Sequence, residues 1–298
     1  MVSRALVPYD MAMRTVTSSG QVPVPPLGGI LRSWRAARGV SQLDLAHRSG
    51  LSARHLSFIE TGRTQPSRQA LLMIGEALEM PLRERNRLLE AGGYARVYRQ
   101  TALEADEMSY VRGLLQFVLD RHEPYGSVVI DRYWNVIMSN TAASRSLPAF
   151  SDPALWTSPP VNLVRLMFHP RGLRQFVVNW EEVSRHLVLR AHRELAGPGD
   201  DAQAAALLTE LHRYPDVPER PITPPPSTIS DLVLPVHLRK DGIDIRTFST
   251  IMTLGTPQDV TLQELRIETF FPADEASDRV LRAMAGARPT ASAPAPDG

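Results

Sequence analysis

The sequence predicts an all-α N-terminal domain followed by an α+β domain with an antiparallel sheet. From Leu27 to about Ala91, apolar residues recur at helical spacing between turn residues, whereas after Tyr125 short runs rich in β-branched side chains occur. The charge divides similarly: residues 27–100 carry twelve arginines and six acidic residues, and residues 101–298 carry 19 basic and 25 acidic residues. The two parts therefore suit different partners, because only a basic module attracts a polyanion.

The length of 298 residues suits two domains, each with its own core. We expect a flexible arm over residues 1–26, a helical domain over 27–100, an α+β domain over 101–285 and a disordered tail over 286–298. The chain has no cysteine, which excludes disulfides, thiolate metal sites and cysteine nucleophiles. It contains neither an apolar run of roughly 18–20 residues nor a signal peptide, so we expect a cytoplasmic protein that does not associate with a membrane.

Five helices fit the N-terminal domain. The first is predicted from Leu27 to Ala37, just before Gly39, which favours the left-handed conformation that ends helices. The fifth lies within MPLRERNRLLEAGG, residues 80–93. The three helices between them each follow a serine in the N-cap position, and these serines are Ser41, Ser52 and Ser67.

The second and third helices carry the steric pattern of a helix-turn-helix, in which two short helices cross with little room at their contact. Ala46 supplies the small side chain at the crossing, and Gly50 occupies the turn. Leu56 and Ile59 form the buried face of the third helix, with Leu45 beneath them. Together with the basic charge, this spacing predicts a DNA-binding unit from Gln42 to Glu60.

The segment SQLDLAHRSGLSARHLSFIETGRTQPS resembles the lambda-repressor/Cro-like family, often called Xre-type. In that family the third helix enters the major groove with its N-terminal residues on base edges. The resemblance implies base contacts from Ala53, Arg54 and Ser57, a base or backbone contact from His55, and phosphate contacts from Gln42, Ser52 and Arg63.

Among these residues Arg54 is the strongest candidate for sequence discrimination, because a guanidinium can donate two hydrogen bonds to guanine. Simpler roles remain open for two of the others. The alternative for Ser52 is a role as a helix cap without any DNA contact, and the alternative for Arg63 is a solvated charge in a loop. We interpret Phe58 as a core residue rather than a base-stacking group.

The second domain begins with an amphipathic helix from about Leu103 to Arg121. YGSVVID and NVIMSN then indicate a β-hairpin turning at residues 132–134. Residues 162–213 have helical spacing, interrupted at His169-Pro170 and Gly197-Pro198-Gly199, and six prolines between 215 and 226 indicate an extended connector. DLVLPVHLR, IDIRTFSTIMTL and LQELRIETFFP predict three antiparallel strands, the last preceded by a GTPQDVT loop.

Three segments of this domain resemble the MmyB-like transcription regulators, in which an Xre-type head precedes a PAS-like ligand-binding domain. They are SVVIDRYWNVIMSNTAA, NLVRLMFHPRG and NWEEVSRHLVLRAHREL. The resemblance spans about residues 27–271, and the final strands depart from the family pattern. It implies a lambda-repressor-like domain followed by a PAS-like domain that binds a small, apolar, fatty-acid-like molecule.

Several apolar side chains are candidates to line such a pocket: Leu166, Met167, Phe168, Phe176, Trp180, Leu187, Phe248 and Ile251. The same residues can equally be ordinary core, because apolar side chains at helical spacing usually pack against one another. His186 and Arg190 lie one turn apart and are candidates to anchor a carboxylate, with a plain surface pair as the alternative.

We therefore expect a sequence-specific transcription regulator, a homodimer on double-stranded DNA whose C-terminal domain senses an apolar ligand. The alternative is a C-terminal domain that only dimerises or binds a protein partner. No catalytic motif occurs in the sequence, and His186 and His192 lie on different helical faces, so we expect neither an enzyme nor a metal site. No cofactor is expected.

Overall fold

The computed structural model describes residues 27–156, 160–195, 197–198, 201–217, 233 and 235–286. The predicted flexible arm, all of the predicted tail after Gly286 and most of the proline connector lie outside the described residues.

The N-terminal domain, here called the head, contains five helices: α1 (Leu27–Ala37), α2 (Gln42–Ser49), α3 (Ala53–Glu60), α4 (Arg68–Ala77) and α5 (Leu82–Ala91). The three predicted serines begin α2, α3 and α4, because each side-chain oxygen accepts a hydrogen bond from the backbone N–H three residues later. The predicted all-α head is confirmed.

The core of the head is closed by contacts between helices that are near in sequence. Gly28 of α1 lies so close to the end of α3 that an added β-carbon would sit 2.0 Å from the carbonyl oxygen of Glu60. The buried side chains that fill this core include Leu31, Trp34, Leu45, Leu56, Ile59, Leu71, Ile74, Leu88 and Leu89.

The first helix of the second domain, α6, runs from Ser109 to Arg121 and thus begins later than the sequence predicts. The guanidinium of Arg112 donates to the carbonyls of Leu103 and Ala105, so a side chain occupies acceptors that a longer helix would use. Residues 106–108 form one 3₁₀ turn instead. Leu103 is still buried, in the cluster beneath α6.

Five strands form one antiparallel sheet in the described part of the second domain, in the order β2-β1-β5-β4-β3. They are β1 (Ser127–Ile130), β2 (Val136–Ser139), β3 (Val236–Lys240), β4 (Ile243–Met252) and β5 (Arg266–Pro272). Neighbouring residues of β1 point to opposite faces: Val129 packs in the cluster of α6, and Val128 packs in a larger helical core.

The remaining helices surround this sheet: α7 (Thr141–Ala149), α8 (Leu163–Phe168), α9 (Trp180–Leu195), α10 (Ala202–Leu211), α11 (Val260–Glu264) and α12 (Glu275–Ala285). The larger core takes buried side chains from α8, α9 and α10. The predicted fold class, a helical head followed by a PAS-like α+β domain, is confirmed. No helix in the described ranges is long and apolar enough to cross a membrane.

The predicted start of the last strand was wrong. The last two residues of the predicted GTPQDVT loop and the first three residues of that strand form α11, because Asp259 caps a short helix through the N–H of Thr261. Strand β5 therefore begins only at Arg266. The sequence interpretation also missed α12, which Asp274 caps through the N–H of Ser277.

Candidate functional site

The turn between α2 and α3 is closed by Gly50 in the left-handed conformation, with φ at 67°. The amide of Leu51 donates to the carbonyl of Ala46 at 3.0 Å, which satisfies the end of α2. Ala46 is buried, so only a small side chain fits where the helices meet. The predicted hydrophobic face is also buried, at Leu45, Leu56 and Ile59. These features give α2 and α3 the geometry of a helix-turn-helix.

The residues expected to face bases lie in the first turns of α3. Ala53 and Arg54 are exposed, and His55 and Ser57 are half-buried. Their contacts with DNA remain a prediction. Because Ala53 and Arg54 are exposed, the N-terminal half of α3 presents a surface that can enter a groove.

Phe58 is half-buried rather than part of the closed core. The guanidinium of Arg54 lies 5.3 Å from the centre of its ring, and that of Arg63 lies 5.9 Å from the same centre. Cations at these distances are attracted by the face of an aromatic ring. One phenyl ring therefore holds two of the arginines expected to contact DNA, an arrangement that the sequence interpretation missed.

Two of the predicted phosphate ligands already make contacts within the head. Ser52 Oγ accepts from the N–H of His55 at 3.1 Å, and Gln42 Nε2 donates to Glu60 Oε2 at 2.6 Å. Each retains a donor, because the serine hydroxyl and the second amide hydrogen are not used in these bonds. Capping and phosphate binding are therefore compatible at both positions.

Glu60 ends α3 as a buried carboxylate, 3% exposed. Arg35 of α1 binds both of its oxygens, at 2.9 and 3.3 Å, and also donates to the carbonyl of Val40. A buried carboxylate is costly unless it is paired and hydrogen-bonded. This network fixes α3 against α1 and against the start of α2.

The head contacts the second domain through α5 and α11. Arg83 binds both oxygens of Glu264, at 2.6 and 2.7 Å, and the N–H of Leu82 donates to Gln263 Oε1 at 2.7 Å. The hydrogen bonds to Glu264 raise the pKa of Arg83 above its ordinary value. A bidentate pair fixes both a distance and an angle, so this pair sets the orientation of α5 relative to α11.

The junction extends to the hairpin turn between β1 and β2. Arg132 donates to Glu264 at 3.2 Å and pairs with Asp201, the N-cap of α10, at 2.6 Å. Burial raises the pKa of the neighbouring Tyr133 to about 12. A polar cleft of about 340 Å³ lies beside these groups, lined by Arg83, Asn86, Arg87, Glu90, Arg96, Gln100, Tyr133, Asp201 and Ala202. Glu264 thus connects the head, through Arg132, to α10.

Within the second domain, most of the predicted ligand residues pack in the larger core. Phe168 is buried and meets Trp180 edge to face, with ring centres 5.2 Å apart. Phe176 meets Phe150 in the same manner at 6.2 Å. The other core members of this set are Leu166, Met167 and Leu187. These contacts are those of an ordinary aromatic core.

The guanidinium of Arg190 is already paired. It binds both oxygens of Glu268, at 2.9 and 2.8 Å, donates to Glu194 at 2.9 Å, and lies 4.2 Å from the ring centre of Trp134. His186, one turn earlier, has its Nδ1 3.0 Å from the carbonyl of Glu182. Arg190 therefore has internal acidic partners where we predicted a ligand carboxylate.

Phe248 lies on the opposite face of the sheet from the other predicted residues. Its ring is 5.9 Å from that of Phe271, which also packs against Tyr125. Ile251 points to the face of Glu268, its register partner, but is 45% exposed. The structure therefore brings Phe168, Phe176 and Trp180 together and leaves Phe248 apart.

A second cavity, of about 370 Å³, opens beside Trp180 and is lined by Trp180, Glu181, Ser184, Arg185, Asp216 and Val217. Among the described residues, the indole N–H of Trp180 is one of three buried side-chain donors without a hydrogen-bond partner. Arg174 stacks over the same indole at 5.1 Å and pairs with Asp216. The sequence interpretation missed Arg174, Arg185 and Asp216. It also missed Ser184, which lies one helical turn from Trp180 and could have been found from helical periodicity.

His192 and His212 face each other with their Nε2 atoms 2.8 Å apart. Burial, together with His212, lowers the pKa of His192. In the part of the chain that the structure describes, no group of three or more potential ligands stands ready for a metal ion.

Two family models match the chain. One, described as the MmyB-like transcription regulator ligand binding domain, matches residues 111–284, and the other, described as a helix-turn-helix domain, matches residues 26–88. No curated protein matches. A solved structure titled "Structure of an RNA-binding Light-Oxygen-Voltage Receptor" is similar at 11% identity and a TM-score of 0.27, over 87% of this chain and 62% of that one. At that score the likeness carries no argument.

Proposed function

Since this chain belongs to the MmyB-like transcription regulators, we propose that it reads a specific DNA sequence as a homodimer and alters that binding when a small, fatty-acid-like molecule enters its second domain. The protein is a DNA-binding transcription regulator with a ligand-binding domain. We place its action in the cytoplasm, and it works by binding alone, without catalysing a reaction.

Sequence recognition is assigned to Arg54. The supporting observation is its exposed position in the first turn of α3, with its guanidinium held over Phe58. A guanidinium fixed in direction loses less conformational entropy when it binds two acceptors of a guanine. Ala53, His55 and Ser57 accompany it on base edges or backbone, and Gln42, Ser52 and Arg63 hold phosphates.

The test uses an operator selected from random duplexes by the purified full chain. Arg54→Ala should weaken binding to that operator by about 1–3 kcal/mol and relax one base position, with a smaller loss on a shuffled duplex. Arg193→Ala, the same change at an exposed position of α9, is the matched control and should leave both affinities unchanged. Equal losses on operator and shuffled DNA would reduce Arg54 to a phosphate contact.

The ligand is assigned to the cavity beside Trp180. Its volume lies near the lower end of the range found for small-molecule sites, roughly 300–1,000 Å³. It joins the indole of Trp180, which suits an aliphatic chain, to the guanidinium of Arg185, whose exposed partner Glu181 can give way to a ligand carboxylate. Phe168 packs directly behind Trp180, so part of the predicted apolar lining supports this indole.

Extraction of the purified protein with organic solvent, followed by mass spectrometry, tests this assignment. We expect a stoichiometric fatty acid in the extract and a thermal shift of the protein with fatty acids of matching length. In the Trp180→Leu variant, adding fatty acid should no longer raise the melting temperature above that of the same variant without fatty acid. Trp156→Leu is the control, because that indole already donates to Ser151. An empty extract with no shift across the panel would contradict a fatty-acid ligand.

The proposed signal passes through the junction of α5 and α11. A ligand that moves the helices around α10 also moves Asp201, which is linked by Arg132 and Glu264 to Arg83 of the head. Such a movement changes the placement of two heads on their half-sites, and half-site spacing is set by that geometry. Unchanged operator affinity at saturating ligand would contradict the switch.

The second candidate function keeps the DNA-binding head but gives the other domain no small molecule to sense; it only dimerises or binds a protein partner. One observation favours it: Phe168 and Leu166 are buried and pack within the core, as structural residues do. The extraction separates the two functions, because only sensing requires a bound molecule.

A further inference from the structure

Helix α6 exposes a stripe of large apolar side chains on the face turned away from the sheet. Tyr110 is 74% exposed, Leu114 45% and Phe117 57%, whereas Leu115 and Leu119 on the inner face are buried. The three exposed residues follow each other at intervals of four and three, so they lie on one side of the helix. Single exposed apolar residues are common, but a continuous stripe marks an interaction surface.

The stripe is complementary to itself under one particular symmetry. A two-fold axis placed between Gly113 and Leu114 would bring Tyr110 of one copy opposite Phe117 of the other. Gly113, which is exposed and has open space around it, sits at the centre, where two helices must approach most closely. Such pairing of one surface with itself is the defining property of a two-fold dimer interface.

One pair of charges at the two ends obeys the same symmetry, whereas Glu107 and Asp120, which this axis also brings opposite each other, are both acidic. Asp106 precedes the helix by three residues and Arg121 ends it, and the axis between Gly113 and Leu114 brings each opposite the other. Arg121 is already stacked 4.9 Å from the ring centre of Phe117, at the edge of the stripe. A parallel pair would instead oppose Asp106 to Asp106 and Arg121 to Arg121, which is unfavourable.

We propose that α6 is the dimer interface, on which α6 of a second copy of this chain docks in the antiparallel direction. The proposal rests on the homodimer of the proposed function and specifies where it forms. The apolar stripe supplies the buried centre and the terminal charges supply the orientation, the division of roles found in protein interfaces.

The test is the oligomeric state of the full chain by sedimentation equilibrium. Leu114→Glu should raise the dissociation constant of the dimer on the order of 100-fold, because it buries a charge at the centre of the interface. Val178→Glu, at an apolar position of similar exposure away from α6, should leave it unchanged. Circular dichroism checks that both variants fold.

Charge reversal tests the direction of pairing. Asp106→Arg and Arg121→Asp should each weaken the dimer, whereas the double variant, or an equimolar mixture of the two single variants, should restore it. A dimer that Leu114→Glu leaves intact would overturn the interface while leaving the dimeric regulator in place. A full-length chain that is monomeric would overturn both the interface and the homodimer. This holds even if a variant without residues 1–26 dimerises. Ligand binding and the binding of one head to a half-site are measured separately, and neither depends on these outcomes.

Discussion

The head and the ligand-binding domain are built from contacts of different range. In the head, each serine cap acts three residues along the chain, and the buried pair Arg35–Glu60 is 25 residues apart. In the ligand-binding domain, Arg190 pairs with Glu268 across 78 residues, and β1 hydrogen-bonds to β5 at the far end of the chain. The head is thus specified by local chemistry, and the second domain by pairings that no short segment contains.

This difference explains where each function lies. A helix-turn-helix needs a fixed surface, because its side chains must match base edges within a fraction of an ångström. A domain that responds to a ligand needs distant groups that can change partners. The junction of Arg83 with Glu264 connects the DNA-binding head to the ligand-binding domain.

The largest effect should come from breaking a long-range pair. Arg190→Met leaves Glu268 buried without its partner, so it should destabilise the ligand-binding domain by about 3–5 kcal/mol in chemical denaturation. Arg279→Met on α12 is the matched control. Its partner Glu275 is largely exposed, so the loss should stay below about 0.5 kcal/mol. Equal losses for the two variants would remove the distinction between buried and surface pairs in this domain.

A local change in the head should have the next largest effect. Gly50→Ala forces a β-carbon into the left-handed region, which costs about 1–2 kcal/mol, and it should lower the stability of the head without affecting the other domain. Gly29→Ala is the control, because Gly29 is in helix α1 with open space around it, and alanine there should stabilise by up to about 1 kcal/mol. Hydrogen exchange resolved by peptide measures both. Loss of protection in the ligand-binding domain would show that the head is not independently specified.

A smaller effect is expected for DNA binding when the ring beneath the two arginines is removed. Phe58→Leu keeps an apolar side chain but abolishes the cation–π contacts with Arg54 and Arg63, each worth about 0.5–1 kcal/mol at an exposed site. Loss of both contacts should therefore lower operator affinity by at most about five- to thirtyfold, with no change in the folded fraction. Tyr125→Leu, which removes a ring contact with Arg282 in the other domain, is the control and should leave operator affinity unchanged. Unchanged operator affinity of the Phe58 variant would exclude its positioning role.

The smallest effect is the response to acid, which should differ between the two domains. A hydrogen bond from its capping serine lowers the pKa of Asp44 in the head, and hydrogen bonds likewise lower those of Asp244, Asp274 and Asp278 in the other domain. A lowered pKa stabilises the fold above the ordinary value of 3.8, and this stabilisation is lost as the pH falls through the folded value. Burial raises the pKa of Asp131, which has the opposite sign, whereas the hydrogen bond from Arg165 lowers the pKa of Glu210 in the same domain.

The ligand-binding domain should therefore lose stability first as the pH is lowered past 3.8. Peptide-resolved hydrogen exchange across that range measures the order of loss. Earlier loss of protection in α1 to α5 would contradict this expectation.

Sequence reasoning succeeded where the determining groups are neighbours. The serine caps, the glycine turn and the spacing of Leu56 and Ile59 gave the helices of the head and the surface of α3. It failed where a position depends on another strand. The face to which Phe248 points is fixed by its register with Phe271, and no alternation within one strand could identify that face.

The missed residues of the site have the same origin. Arg190 suited a ligand carboxylate in the sequence because its partner Glu268 is remote. Asp216 joins Arg174 beside Trp180 from more than 40 residues away. Phe58 is different, because Arg54 lies only four residues before it, so helical spacing alone could have revealed that stacking.

The contact of Glu264 and Gln263 with α5 has a consequence for exchanging modules between regulators. One side-chain amide and one carboxylate from the second domain meet one backbone N–H and one arginine of the head, and Glu264 also serves Arg132. In a chimera that joins this ligand-binding domain to a foreign helix-turn-helix, Glu264 would keep Arg132 but lose its second arginine partner, unless the new head has an arginine at the second position of its fifth helix. We therefore expect that adding this one arginine helps a new head to dock in the native orientation.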